Sequence, residues 1–366
     1  MTSEIIDSKD LKNDPVFGQL SFDNHEQIVF CNDEDTGLKA IIGIHNTTLG
    51  PALGGTRMWQ YKSEWEALND VLRLSRGMTF KSAITGLNLG GGKAVIIGDA
   101  KTQKNDNLMR KFGEFVNSLS GKYITAEDVG METRDMDIIR EVTPHVTGVS
   151  ESIGGSGNPS PVTAYGVYMG MKAAAKHKFG SDNLAGKKIL VQGVGHVGET
   201  LVKHITDEGA KVILNDISEA RLEELSKKYN ANVVLGNDIY GLDVDIYAPC
   251  ALGATLNDTT INQLQAKVVA GAANNQLANE IKHGKLLQEK GIAYAPDFLI
   301  NAGGIINVYA EVAGYGKEES KKRTENIYNT TLEIFDLAQK ENITTHRAAL
   351  NIAQARINAR KKEQNS

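Results

Sequence analysis

Lys187-Lys188-Ile189-Leu190-Val191-Gln192-Gly193-Val194-Gly195-His196-Val197-Gly198-Glu199 is the stretch that decides the fold. Residues 189–191 read as a short buried strand, and a helical run over 197–206, ended by Gly209, follows the glycines. A second apolar strand, Val212-Ile213-Leu214, leads to Asp216, which stands 23 residues beyond Gly193. A lone G-x-G-x-x-G is a weak signal; strand, glycines, helix, strand and acid in this order are a specific one. Gly193 permits a tight turn, Gly195 lets the backbone approach a pyrophosphate, and Gly198 lets helix and strand pack closely. The phosphates then meet free N–H groups and the positive end of the helix dipole. A carboxylate at Asp216 accepts both ribose hydroxyls and repels a 2′-phosphate, which favours NAD over NADP. The expected cofactor residues are therefore Gly193, Val194, Gly195, His196, Val197, Gly198, Glu199 and Asp216. A Rossmann-like domain for another nucleotide, or an S-adenosylmethionine enzyme, shares part of this spacing, so the motif alone leaves the reaction open.

Working outward, the pattern of strand, glycine turn and helix repeats along the chain, which is the α/β signature. Ser63-x-x-Glu66 reads as a capping box, with Trp65, Leu68, Val71, Leu72 and Met78 at helical spacing after it. Leu108, Phe112, Phe115, Val116 and Leu119 form a second stripe, stopped by Gly121. Tyr123-Ile124-Thr125-Ala126 reads as a strand with Asp128 just past its carboxyl end, where open α/β sheets bind ligands. Gly154-Gly155-Ser156-Gly157-Asn158-Pro159 is the boundary candidate. Beyond it a helix is expected with Ser160 as N-cap, Pro161 at the first position and Gly180 as the stop. The stretch 324–363 reads as two helices.

With 366 residues and 41% apolar content, two domains each have enough material for a core. A net charge of −5 with interspersed signs argues against nucleic-acid or anionic-membrane surfaces. Cys31 and Cys250 are distant and unpaired, as expected of free thiols in a reducing cytosol. The polar, acidic N-terminus shows no signal peptide, and no stretch approaches the ~20 apolar residues of a membrane span, so a cytoplasmic location is expected. The histidines and cysteines have no metal-site spacing, and no metal is expected.

Two lysines stand out. Lys81 follows a long helical pattern, where the bland reading is a solvated surface charge. Lys93 follows Gly90-Gly91-Gly92 and precedes the buried-looking strand Ala94-Val95-Ile96-Ile97. The run is not a phosphate loop, since the glycine frame is wrong and Ala94 stands where Ser or Thr would hold magnesium. A desolvated lysine, or one beside another cation, loses its proton near neutral pH and serves as a general base. Asp128 is the third candidate, against a plain turn or cap role. Glu127 beside it reads as structural and His196 as a loop residue. Asn274-Asn275 follow Val268-Val269-Ala270-Gly271 at a strand end facing a crevice.

Pro51-Ala52-Leu53-Gly54-Gly55-Thr56-Arg57, Leu74-Ser75-Arg76-Gly77-Met78-Thr79-Phe80-Lys81, Gly90-Gly91-Gly92-Lys93-Ala94, Ala126-Glu127-Asp128-Val129-Gly130, the dinucleotide stretch and Asn301-Ala302-Gly303-Gly304 together resemble the glutamate/leucine/phenylalanine/valine group of amino-acid dehydrogenases. The resemblance runs from about Phe17 to past Glu311. It implies an N-terminal mixed-sheet substrate and oligomerisation domain (1–149 plus about 345–366) and a doubly wound, Rossmann-type NAD domain (150–344), separated by a cleft. It implies that Lys81 binds the substrate carboxylate with help from the backbone at Gly54 and Gly55. Lys93 would act through a water that attacks an imine carbon, Asp128 would exchange a proton with the amino group, and Asn275 would touch the substrate. Thr163 and Asn274 would help place the nicotinamide. Two nearby lysines would also depress each other's pKa.

The reaction implied is reversible, NAD-dependent oxidative deamination of an amino acid to a 2-oxo acid and ammonia. Glutamate-specific relatives carry a lysine at the position of Leu53; without it a glutamate side chain would be desolvated unpaired. Met78, Ala126 and Val308 add apolar lining, and Ala126 and Val308 follow the pattern of members acting on leucine and other branched-chain amino acids. One methylene is worth only about 1–3 kcal/mol, so leucine, isoleucine and valine are all expected substrates. A homo-oligomer, commonly an octamer, is implied as well. The alternatives are a phenylalanine-specific member, a non-catalytic NAD or amino-acid sensor, and a 2-hydroxy-acid dehydrogenase, whose Arg and His pair finds no place here.

Overall fold

A computed structural model describes residues 16–18 and 21–365. The reading of the N-terminus as free of a signal peptide lies largely outside these residues. The elements run β1 (Gln27–Asp33), β2 (Leu38–Asn46), β3 (Ala52–Trp59), α1 (Glu64–Ile84), β4 (Gly90–Ile97), α2 (Asp106–Ser118), β5 (Tyr123–Glu127) and α3 (Thr133–Arg140). Then follow α4 (Ser160–Phe179), β6 (Lys188–Gln192), α5 (His196–Asp207), β7 (Lys211–Asn215), α6 (Glu219–Tyr229), β8 (Asn232–Val233), β9 (Ile246–Pro249), α7 (Asp258–Gln263) and β10 (Val268–Val269). The chain ends with α8 (Glu280–Glu289), β11 (Ala293–Tyr294), α9 (Asp297–Ile300), α10 (Gly303–Ala313), α11 (Lys317–Glu325), α12 (Ile327–Glu341) and α13 (Thr345–Asn365).

The first sheet is mixed, with strand order β1-β2-β4-β3-β5. The β1–β2 and β2–β4 pairs are antiparallel, and β3 lies parallel between β4 and β5. Strand periodicity sends alternate side chains to opposite faces. On β4, Val95 joins Leu68, Val71 and Leu72 of α1, while Ala94 and Ile96 join Leu108 and Phe112 of α2. Lys93 shares the parity of Val95, and the register Arg57↔Val95, Gly55↔Ala126 and Leu53↔Ile124 carries the same face across β3 and β5. One face of three neighbouring strands therefore collects Leu53, Gly55, Arg57, Lys93 and Ala126.

The second sheet is fully parallel, in the order β11-β10-β9-β6-β7-β8. Both faces are covered. Ile189 and Val191 of β6 pack into the core that holds α4, α5 and α12, whereas Leu190 packs with Ile261 and Leu287 of α7 and α8. This is the doubly wound arrangement expected of near-continuous apolar strands. Strand order reverses at β6, so the crevice beyond its carboxyl end is the ligand position of such sheets.

Local details differ from the sequence reading at three points. Lys81 sits inside the last turn of α1 rather than after it, because the helix continues to Ile84 before Thr85 and Gly86 end it. The Ser63 hydroxyl accepts the Glu66 amide at 3.1 Å, but the Glu66 carboxylate accepts from Lys62 and not from Ser63, so the box closes one residue early. Pro159 occupies the N-cap of α4 and Ser160 its first turn, a shift of one residue, while Gly180 ends it with φ +78° as expected.

Two features join the sheets. Arg356 of α13 donates to the carbonyls of Ser82, Ala83 and Leu87 at the end of α1. Glu311 of α10 accepts from the amides of Gly148 (3.0 Å) and Ser156 (2.8 Å) and from the Ser156 hydroxyl, pinning the segment between the sheets.

Candidate active site

A cleft of about 760 Å3 opens where the shared face of the first sheet meets the carboxyl ends of the second. Lys81, Lys93, Asp128, Leu53, Gly55, Met78, Ala126, Val308, Asn274 and Asn275 all line it. Gly54 does not. It has the opposite strand parity, its carbonyl accepts the Tyr123 hydroxyl at 2.6 Å, and a Cβ there would run into the Gly92 carbonyl. Its glycine is required by strand packing. Gly55 is equally constrained, since a Cβ would meet Asp128 Cβ at 2.9 Å, and it does reach the cleft.

Lys93 is 6% exposed and donates from Nζ to Asp128 Oδ2 at 2.7 Å. Gly90, Gly91 and Gly92 are not a loop before the strand but buried members of β4. Burial is the largest influence on the Lys93 ammonium and pushes its pKa below the ordinary lysine value, against the opposing pull of Asp128. Burial alone would raise the Asp128 carboxyl; the charges of Lys93 and Arg57 overcome that and hold it below its usual range. Arg57 donates from Nε to the same Oδ2 at 3.0 Å and from Nη1 to Asp70 Oδ2 at 2.8 Å. The sequence reading assigned no role to Arg57, although it closes the first quoted motif.

Lys81 donates to Asn301 Oδ1 at 2.8 Å and reaches Asn274 Oδ1 at 3.5 Å, so it spans the cleft from α1 to the second sheet. Burial, helped by the charge of Lys93, brings its pKa down to about 8 against the pull of Asp297. Arg57 is a further cation that lowers Lys93. Asn301 stood in a quoted motif without a role. It donates to Asn274 Oδ1 at 2.8 Å and the Ala272 carbonyl at 3.1 Å, holding the asparagine pair. Asn275 has φ +52°, a left-handed backbone that Asn tolerates better than most residues and that marks a constrained turn. The apolar wall is Leu53 (2% exposed), Ala126 (8%) and the partly buried Met78 and Val308. Ile305 of α10 belongs to it as well and was not singled out by pattern.

The dinucleotide stretch fits the group it implies. Gly193 has φ +95°, and a Cβ there would meet Ala251 Cβ at 2.6 Å. A Cβ on Gly195 would point into open space, leaving the backbone approachable. A Cβ on Gly198 would drive into the Gly193 carbonyl oxygen, so helix–strand contact demands glycine. Gly195 is the N-cap of α5 and exposed His196 its first residue, so the amides of His196, Val197 and Gly198 have no partner within the helix. Asp216 accepts the Val194 amide at 2.8 Å and the Ser218 amide at 2.9 Å, bracing the turn while keeping lone pairs for hydroxyl donors. Glu199 behaves differently from its neighbours. Its amide donates to the Gly195 carbonyl, and its carboxylate is held by Arg221 and Lys228, so it supports the turn from behind. Thr163 donates to the Pro159 carbonyl at 3.0 Å, and a Cβ on the cleft residue Gly304 would lie 3.2 Å from its hydroxyl.

Known proteins repeat this arrangement. Residues 25–145 match the model of the Glu/Leu/Phe/Val dehydrogenase dimerisation domain. Residues 154–218 and 214–365 match that of glutamate/leucine/phenylalanine/valine dehydrogenase. The chain is 56% identical to leucine dehydrogenase of Bacillus cereus over 342 residues, covering 93% of each chain. It is 55% identical to leucine dehydrogenase of Thermoactinomyces intermedius over 347 residues, covering 95% of this chain and 94% of that one. The crystal structure of L-tryptophan dehydrogenase from Nostoc punctiforme superposes with a TM-score of 0.83 at 46% identity, covering 92% of this chain and 97% of that one. Mixed sheet, parallel sheet, cleft and matching sequence agree that the chain belongs to the Glu/Leu/Phe/Val dehydrogenase family.

Proposed function

We propose that the chain catalyses reversible oxidative deamination of L-leucine and other branched-chain L-amino acids, with NAD as cofactor. Amino acid, NAD+ and water give 2-oxo acid, ammonium, NADH and a proton. The observation that carries this reading is the Lys93–Asp128 pair, joined at 2.7 Å, in one cleft with Lys81 and an apolar wall of Leu53, Met78, Ala126 and Val308.

Lys81 binds the substrate carboxylate, with backbone help from Gly55. Asp128 takes a proton from the substrate ammonium, so that the amine lone pair is free. Bound nicotinamide would supply the acceptor for the hydride that leaves Cα. Lys93, as the neutral amine, removes a proton from the water that adds to the resulting imine carbon, and ammonia leaves as the carbonyl forms. Asn275 orients the substrate from the other side. Leu53, Met78, Ala126 and Val308 enclose the side chain and exclude water. Gly193, Val194, Gly195, His196, Val197 and Gly198 supply the turn and amides for the pyrophosphate, and Asp216 receives the ribose hydroxyls; Thr163 and Asn274 flank the nicotinamide position. The reading includes a division into 1–149 plus about 345–366 and 150–344, a homo-oligomer, commonly an octamer in the resemblance, and a cytoplasmic location. Among the described residues no helix is long and apolar enough to cross a membrane.

The test is a panel of leucine, isoleucine, valine, phenylalanine, tryptophan and glutamate, each with NAD and NADP at alkaline pH. Fast turnover of the branched-chain substrates with NAD, and almost none with glutamate, is expected. Dominant phenylalanine or tryptophan would overturn the side-chain reading while leaving the reaction. Preference for NADP would overturn the role of Asp216.

A further inference from the structure

Arg57 belongs to no part of that chemistry, yet it is the best-anchored cation in the cleft. It projects from β3 on the face that carries Lys93. Asp70 of α1 fixes its far end at 2.8 Å, and Asp70 is held in turn by the Tyr61 hydroxyl (2.8 Å) and by Arg73 (3.0 Å). The near end gives Nε to Asp128 Oδ2 at 3.0 Å, the oxygen that also takes Lys93 Nζ at 2.7 Å. Two cations, one permanent and one titrating, therefore share a single carboxylate oxygen. An isolated lysine–carboxylate pair holds its proton on the amine, because the anion favours the ammonium form. A guanidinium on the same oxygen draws off part of that favour without ever titrating.

We propose that Arg57 is a positioning residue that frees Lys93 to work as a base, by sharing its counter-ion Asp128, with Asp70 setting how strongly it does so. This rests on the reading of Lys93 as the base. Once Asp128 has returned its proton to the departing nitrogen, the Arg57 charge favours the carboxylate form, so the proton Lys93 accepts from water stays on the amine. The charged groups around Lys93 are Arg57 on β3, Asp128 after β5, and Asp70 and Lys81 on α1; Asp297 across the cleft acts on Lys81, and Arg73 and Tyr61 bond Asp70. Of these, Arg57 and Asp70 are the pair of opposite sign with no part in binding or proton transfer.

The sign of each substitution follows. Removing the Arg57 cation makes protonated Lys93 easier to keep, so the pH at which activity rises moves up. Removing the Asp70 anion does the reverse. A charge change at this range moves the ionisation by about one pH unit or more.

The experiment measures kcat/KM for leucine against pH in the full-length enzyme for wild type, Arg57→Gln, Arg57→Lys, Asp70→Asn and Lys93→Ala, with thermal midpoints alongside. Expected are a rising limb displaced upward by about one pH unit in Arg57→Gln, displaced downward in Asp70→Asn, and near wild type in Arg57→Lys. Unmoved limbs in variants that fold, with only melting or kcat lowered, would reduce Arg57 to a structural brace and overturn the proposal. If Arg57→Gln does not fold, Arg57→Met, which keeps the stem and loses the charge, carries the same upward expectation, and an unmoved limb there overturns the proposal; Asp70→Asn cannot decide alone because Asp70 also acts on Lys93 directly. Lys93→Ala separates the two readings: near-normal turnover there removes the base itself, whereas an inactive Lys93→Ala with unmoved limbs elsewhere removes only Arg57.

Discussion

Lys81 and Lys93 are both lysines in one cleft, and their surroundings divide the labour between them. Lys93 is hydrogen-bonded to a carboxylate, whereas Lys81 is bonded to neutral Asn301 at 2.8 Å, which on the proposed reading leaves it to find its anion in the substrate. Losing a charged hydrogen bond costs about 1.5–3 kcal/mol, so Lys81→Ala is expected to raise KM for leucine roughly tenfold to a hundredfold while NAD affinity holds. Steady-state kinetics with each substrate varied in turn check this, and an unchanged leucine KM would reassign the carboxylate. Lys93 and Asp128 were legible in sequence because glycines before a strand and an acid after one are positional signals. Arg57 was not. An arginine on a strand reads as surface charge until β3 is paired with β5 and α1 is laid over the sheet, bringing Asp70 and Asp128 to it from 13 and 71 residues away.

At the scale of elements, the dinucleotide turn separates two glycine roles that look alike in sequence. Gly198→Ala forces a methyl against the Gly193 carbonyl and must push α5 off β6, so a loss of about 1–3 kcal/mol and a lower melting midpoint are expected together with weaker NAD binding. Gly195→Ala meets nothing in the protein, so its midpoint is expected to stay near wild type while NAD binding alone weakens. Thermal melting and NAD titration of both variants check the contrast, and equal melting losses would remove it. The strand–turn–helix order, the second strand and Asp216 were readable because each leaves a local mark in hydrophobic period or turn chemistry. The one-residue displacements at Ser63 and Ser160, and the extra turn of α1 past Lys81, were not. Helix ends are set by competing local hydrogen bonds, here Lys62 with Glu66 and Thr85 Oγ1 with the Lys81 carbonyl at 2.7 Å. That Gly54 turns away from the cleft was likewise invisible until strand parity was known.

Across the whole molecule, stability carries a pH dependence from groups outside the proposed chemistry. His25 and His45 are buried side by side beneath α1, their ring centroids 4.7 Å apart, with His45 Nδ1 2.8 Å from the Thr79 hydroxyl. Burial, then the neighbouring His25, pushes His45 down to about 4, and burial also lowers His25. Each ring is neutral in the fold and protonates more readily once unfolded, so stability is full above about pH 6.5 and declines as pH falls toward 4. By linkage His45 alone removes about 2 kcal/mol between pH 7 and pH 5. Melting midpoints at the two pH values, in wild type and in His45→Gln, check this; an equal drop in both would place the acid sensitivity elsewhere. The two-sheet plan was legible as a repeated α/β pattern. The return of α13 to α1 through Arg356, and the grip of Glu311 on the connecting segment, depend on partners more than a hundred residues away and leave no local trace.

The bond from Lys81 to Asn301 has one further consequence. On the proposed role of Lys81, an arriving carboxylate does not meet a bare ammonium; it displaces an amide oxygen that already solvates it, while Asn301 stays tied to Asn274 and Ala272 through its own Nδ2. Substrate entry is then a substitution of one ligand of the ammonium for another. The same exchange run backwards returns the amide to Lys81 as the product carboxylate leaves, which suits the proposed reaction in both directions.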